Sequence, residues 1–293
     1  MLLRVGLELA DRIVNALPAR FVYAAADLAG DLWRRLSPSR RRLVAANLAR
    51  VCEATGRPTE GPAFRGLVRA AFRNHARYYA EILRAPHYDP RRIGEIVACP
   101  DWPTFEPVLR SGPAVLVSGH LGNFEPFAVY IAEQGLPAVA PIEEIEPREL
   151  FEFLAARRGG SAVEVVPLRR SRSVLSRRLR EGGLVGVLGD RVIGGGAGHP
   201  VTMFGHPTTI PNGPATLAVT HGAPLLVGRC LRTGPDRYEA RGDVLALPNS
   251  GDRRVDIGSL TARIAERFER DIGEAPEQWW GAFQPFWPDV GRG

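Results

Sequence analysis

The sequence predicts an α/β fold: a mostly parallel central sheet flanked by helices, with a helical N-terminal extension in front of it. Two observations carry this. From about residue 96 onward, apolar runs of strand length alternate with stretches of helical periodicity, the pattern of βαβ units whose sheet is covered on both faces. Before residue 90 the apolar residues recur at helical spacing only. A chain of 293 residues can bury one large core. The expected division is a helical extension over 1–90 and an α/β domain over 91–293, joined as one continuous unit.

The extension begins with Leu2, Leu3, Val5, Leu7, Leu9, Ile13, Val14 and Leu17 mixed with Arg4, Glu8, Asp11 and Arg12. Pro18 breaks this first helix, and a second runs through Phe21, Val22, Leu28, Leu32 and Trp33 to Arg34 and Arg35. Apolar residues, low charge and a basic end suit a helix lying in a membrane interface. A helix packed on the protein's own core has the same pattern. Ser37-Pro38 starts a third helix, with Pro early in its first turn, and Gly56 and Pro58 end it. A fourth covers 62–84. No stretch reaches about 18 uncharged apolar residues, so no spanning helix is expected. Charges at Glu8, Asp11 and Arg12 also interrupt any signal-peptide core.

Strands are expected at 115–118, 136–139, 163–166 and 184–188, with helices at 123–134, 147–158 and 171–181 between them. Residues 223–227 pair with 238–243 or 244–246, and a last helix covers 257–272. Trp279, Trp280, Phe283, Phe286 and Trp287 crowd the C-terminal end, either as core or as an interfacial belt.

The net charge is +6, and all 38 basic residues are Arg. A coding bias accounts for this, and so does attraction to anionic surfaces, where the guanidinium fork suits phosphate. Arg169, Arg170, Arg172, Arg177, Arg178 and Arg180 cluster on and before one helix, as a solvated face or a contact for anionic head groups. Zinc-finger spacing, a basic zipper and aromatic–basic interleaving are missing, so nucleic acid is not an expected partner. Cys52, Cys99 and Cys230 are three, widely and irregularly spaced, which points to neither disulfides nor a metal site. The six histidines show no ligand spacing either, so no metal is expected.

The informative stretch is Ser118-Gly119-His120-Leu121-Gly122-Asn123-Phe124-Glu125. A buried strand ends at Ser118, and ligands of open α/β sheets bind at the carboxyl ends of strands. Gly119 and Gly122 let the backbone bend or approach a ligand closely. Glu125 lies five residues after His120, in the first turn of the next helix, where it can fold back toward the imidazole. A histidine is well matched to taking a proton from a hydroxyl at neutral pH. A carboxylate on its other ring nitrogen fixes the tautomer and stabilises the imidazolium. A structural histidine at a strand end fits the same residues. Asp190-Arg191 follows another buried strand and belongs at the same sheet edge, where Arg191 can meet a phosphate. Gly194-Gly195-Gly196 lacks the Lys-Ser/Thr of a phosphate loop and is expected to be a mobile loop over the site.

The segment from Ser118 to Glu125 resembles the His-x4-Asp/Glu motif of the lipid A late acyltransferases and the phosphatidylinositol mannoside acyltransferases. The same order of motifs continues. Leu150 through Arg157-Arg158-Gly159 and 163–167 is similar to the family's Arg-containing helix and following strand. Gly186 through Asp190-Arg191 is similar to its strand ending in Asp-Arg or Asp-Gln. Met203-Phe204-Gly205 with Pro211 to Ala215, and Glu277 through Trp287, are similar to its later segments. The resemblance implies an acyltransferase peripheral to the cytoplasmic face of the cell membrane. It implies acyl-CoA or acyl carrier protein as co-substrate, a membrane glycolipid as acceptor, and no cofactor. His120 would be the general base with Glu125 as its acidic partner, and Asn123, Arg158, Asp190 and Arg191 would bind substrate. The loop over 192–200 has no acid where some relatives carry one, which raises the weight on Glu125 or Asp190. A non-catalytic lipid-binding protein of the same fold, or a lipid thioesterase or esterase, is the alternative.

Overall fold

The computed structural model describes residues 2–159, 163–193 and 198–290. Four helices come first: α1 (Leu2–Ala16), α2 (Ala19–Leu36), α3 (Pro38–Ala54) and α4 (Gly61–Arg84). A short helix α5 (Ile93–Ile96) and strand β1 (Val97–Ala98) lead to α6 (Trp102–Arg110) and the long strand β2 (Ala114–Gly122). Helix and strand then alternate through α7 (Glu125–Glu133), β3 (Ala138–Ile142), α8 (Arg148–Gly159), β4 (Val163–Pro167), α9 (Leu168–Arg180) and β5 (Leu184–Leu188). A hairpin of β6 (Gly198–Met203) and β7 (His206–Pro211) follows. The chain ends with α10 (Gly213–His221), β8 (Leu225–Gly234), β9 (Arg237–Leu245), α11 (Arg253–Glu274) and two single-turn segments carrying the Trp-rich tail.

The seven-stranded sheet runs β1-β9-β8-β2-β5-β3-β4. Its neighbours are parallel except β8 and β9, which pair antiparallel. The middle strands are near-continuous apolar runs because both of their faces are covered; Val115, Val185 and Leu225 are fully buried. Strand β2 sits between β5 and β8, so its carboxyl end opens where ligands of such sheets bind.

Helices α2 and α4 pack closely. A Cβ on Gly30 would lie 2.8 Å from the Arg73 Cα, so only glycine lets the backbones approach this far. Asp27 receives Arg77 at 2.6 Å, and Asp31 receives both Arg69 and Arg73 at 2.7 Å, pinning the register of the two helices. Val44, Leu48 and Phe72 from the helical region share one core with Val115, Val117 and Leu225 of the sheet. The outer faces of α1 and α2 differ: Leu3, Val5, Leu9, Ile13, Leu17, Phe21, Leu28, Leu32 and Leu36 are exposed there. Within the described residues no helix is long and apolar enough to cross a membrane.

Two features depart from the sequence expectation. Strand β2 continues past Ser118 to Gly122. The β6–β7 hairpin has no counterpart among the expected strands, since Pro200, Pro207 and Pro211 cannot donate to a strand ladder. It forms because Phe204 and Gly205 both take positive φ, 52° and 74°, the two-residue turn that matches strand twist. The tail is core: Trp279, Phe283 and Trp287 are buried, which favours core packing over an interfacial belt. The Gly194-Gly195-Gly196 run lies outside the described residues.

Candidate active site

The carboxyl end of β2 is built to hold one side chain out of register. Its pairing with β8 is regular from Val115 to Ser118 and resumes only at Gly122, opposite Cys230. Gly122 takes φ +65°, and a Cβ there would lie 2.1 Å from the Cys230 carbonyl oxygen. The next N–H, that of Asn123, donates to the same oxygen at 2.8 Å. Residues 119–121 therefore bulge from the ladder, and bulges re-aim side chains. The bulge presents His120, which stays buried yet lines the neighbouring cavity.

Strand β5 delivers the partner. The Gly189 N–H donates to the Ser118 carbonyl at 2.9 Å, which keeps the two strand ends together and sets Asp190 beside His120. One Asp190 oxygen meets the imidazole Nδ1 in a short hydrogen bond. The other accepts the His120 backbone N–H at 2.9 Å and the Trp279 indole N–H at 3.4 Å. Burial works to raise the Asp190 carboxyl. The His120 charge, the ring and backbone hydrogen bonds from His120 and the Trp279 indole outweigh it and hold the pKa below the usual carboxylate value. An ionised carboxylate only accepts, so Nδ1 carries a proton, and in the neutral ring the lone pair that a base needs is on Nε2. The Trp280 ring stands edge-on to the imidazole, 4.3 Å between centroids at 89°, and its indole N–H donates to the Gly122 carbonyl at 3.2 Å.

The sequence ranked Glu125 ahead of Asp190 for the imidazole contact; at Nδ1 the structure places Asp190. The reason is local. Because β2 runs to Gly122, Glu125 starts α7 beyond the bulge, with its N–H held by the Asn123 side-chain oxygen at 3.0 Å. Its side chain lines the same cavity as His120. Asn123 is fully buried, and both amide atoms serve protein partners, the oxygen to the Glu125 N–H and the nitrogen to Glu81 at 3.0 Å. Arg191 lines the cavity and pairs with Glu143, while its Nε has no hydrogen-bond partner among the described residues. Arg158 lies in α8, but its side chain is outside the described residues. Unforeseen from the sequence are the approach of Trp279 and Trp280 to the dyad and the presence of His75 on the cavity wall.

The cavity holds about 540 Å³ and is mostly apolar, with Leu116, Phe127, Ile131, Ala138, Val165 and Leu226 among its walls. That is the size and character of a small-molecule site with a few convergent polar groups. His75 on the same wall is kept neutral: burial first, then the Arg40 and His120 charges, push its pKa down to about 3. No three metal-ligating side chains gather among the described residues.

Comparison with known proteins gives the family. A family model described as bacterial lipid A biosynthesis acyltransferase matches residues 9–287. A phosphatidylinositol mannoside acyltransferase of Mycolicibacterium smegmatis is 30% identical over 226 residues, covering 75% of this chain and 72% of that protein. One of Mycobacterium tuberculosis is 29% identical over 285 residues, covering 94% of this chain and 85% of that protein. With the family model spanning nearly the whole chain, the protein belongs to the bacterial lipid A biosynthesis acyltransferase family.

Proposed function

We propose that the protein moves a fatty acyl group from a thioester, acyl-CoA or acyl carrier protein, to a hydroxyl of a membrane glycolipid, with His120 as general base. The observation that carries this is a buried imidazole whose Nδ1 is held by Asp190 while its side chain lines a largely apolar cavity. Phosphatidylinositol mannoside is the acceptor class suggested by the names of the relatives.

In this mechanism Nε2 takes the acceptor's hydroxyl proton as the oxygen attacks the thioester carbonyl. The C–O bond forms, the C–S bond breaks, and the proton passes from the imidazolium to the leaving thiolate. Asp190 stabilises the imidazolium between the two steps. Apolar cavity walls hold the acyl chain, at about 0.8 kcal/mol for each buried CH₂. Arg191, with a donor to spare, suits a phosphate of the donor or of the acceptor headgroup. Glu125 is the second acid of the site. The exposed leucines of α1 and α2 and the Arg excess seat the protein on an anionic bilayer, where the acceptor resides.

Mass spectrometry of membrane lipids from the source organism with the gene deleted tests this. The expected result is a glycolipid lacking one acyl chain, restored by the wild-type gene. An unchanged glycolipid profile with altered free fatty acids would favour a thioesterase.

A further inference from the structure

Among the buried ion pairs that the mechanism leaves unused, that of Glu81 and Arg232 lies nearest the dyad's supports. Glu81 of α4 is fully buried, and Arg232 of β8 nearly so. Arg232 grips the Glu81 carboxylate with Nε on one oxygen and an outer nitrogen on the other, the second contact at 2.9 Å. A buried ion pair is a poor source of stability, since desolvation cancels most of the attraction. What it supplies is position: it fixes where the Glu81 carboxylate points and ties β8 at Arg232 to α4.

Two routes lead from this pair to the dyad. The Glu81 carboxylate accepts the Asn123 amide N–H at 3.0 Å, and the Asn123 oxygen accepts the Glu125 N–H at 3.0 Å. This route fixes the segment that follows His120. On the other side, the backbone of Arg232 holds Gln278: its main-chain N–H donates to the Gln278 side-chain oxygen at 2.9 Å, and the Gln278 amide donates to its main-chain carbonyl at 3.0 Å. This route fixes the start of the segment whose Trp279 holds Asp190 and whose Trp280 stands against His120. Tyr23 of α2 also donates to Glu81, at 2.7 Å, so the helix with the exposed apolar face is tied to the same centre.

We propose that the Glu81–Arg232 pair is the positioning centre of the active site, orienting His120 and Asp190 through Asn123 on one side and Gln278 on the other. Glu81, Arg232, Asn123 and Gln278 are then positioning residues that touch no substrate. The proposal rests on His120 being the base.

The test uses the full-length protein and two single-route variants, Asn123→Ala and Gln278→Ala, which leave the ion pair intact, with Glu81→Gln beside them. One readout needs no turnover: the downfield proton resonance of His120 Nδ1–H, identified by its loss in His120→Ala. The second is kcat and KM for the acyl donor. In both single-route variants the resonance should shift or broaden. Their kcat should fall about 10- to 100-fold, as small misplacements of a catalytic group do, while KM changes less than about threefold. A wild-type resonance in both variants overturns the proposal, as does a kcat within about twofold of wild type in both. If the wild-type protein transfers no acyl group to any lipid, the acyltransferase mechanism fails, and the resonance alone then decides the positioning question. If Glu81→Gln does not fold, the two single-route variants still decide.

Discussion

Asp190→Asn is the most informative single substitution. Asp190 is 1% exposed and receives three donors: the His120 ring, the His120 N–H at 2.9 Å and the Trp279 indole at 3.4 Å. An asparagine can keep its oxygen on the backbone and indole N–H groups. Its amide nitrogen then faces Nδ1 and donates to it. The imidazole must carry its proton on Nε2 instead, which is the wrong tautomer for a base. Fold and packing are kept, because the shape is unchanged and a buried charge is removed. General-base help of about 10²–10⁴ is lost, or about 3–5 kcal/mol in the barrier. The assay is thiol release coupled to acylated lipid from pH 6 to 9, with a circular dichroism spectrum as the folding control. Across that range Asp190 stays ionised in the wild type, since its pKa is held below 3.8. Its contribution to stability is therefore complete above that value and is lost only as the pH falls further. A variant kcat within about fivefold of wild type would refute the assignment of Asp190 as the carboxylate that sets the tautomer.

Other expectations follow from neighbouring groups. Glu125→Gln should lower kcat about 10- to 100-fold, less than Asp190→Asn, while Glu125→Asp keeps measurable activity in the same assay; a Gln variant as active as wild type removes Glu125 from the chemistry. The folded pKa of His75 is about 3 against an ordinary 6.5, so its neutral form favours the fold above pH 6.5 and stability drops as pH falls toward 3. At pH 4.5 that loss is about 2–3 kcal/mol, and His75→Phe should flatten it in urea titrations between pH 6.5 and 4.5; an unchanged slope would contradict the burial argument. On the membrane side, the full chain should sediment with anionic vesicles and be partly released by salt. Leu28→Glu with Leu32→Glu, on the exposed face of α2, should weaken that binding with little change in Tm. Binding that survives both charges would place the membrane contact elsewhere.

The α/β class, the strand at 184–188 and the helical N-terminal third were legible because periodicity and burial agree there. Strand-end chemistry was legible in outline: His120, Asp190 and Arg191 each follow an apolar run; His120 and Arg191 line one cavity, and Asp190 lies buried behind His120. Which acid meets Nδ1 was not, because the contact depends on β2 continuing as a bulge to Gly122, and one residue of register decides it. The pattern of 1–36 showed two amphipathic helices but not which side is covered; Gly30 and the Asp27–Arg77 pair settle that for α2 only when α4 is in place. Glu81, Arg232 and Gln278 left no local signal at all. They lie 151 and 46 residues from one another along the chain, and only the fold brings them together.

The most direct test of the central claim is transfer by the wild type and by His120→Ala. Purified protein, labelled acyl-CoA and extracted membrane glycolipid are incubated, and label is followed into lipid and into free fatty acid. The expected result is one acyl group on the glycolipid for each thiol released by the wild type, and a folded His120→Ala protein with nearly none. Transfer by His120→Ala within a few-fold of wild type, or wild-type label found only in free fatty acid, would contradict it.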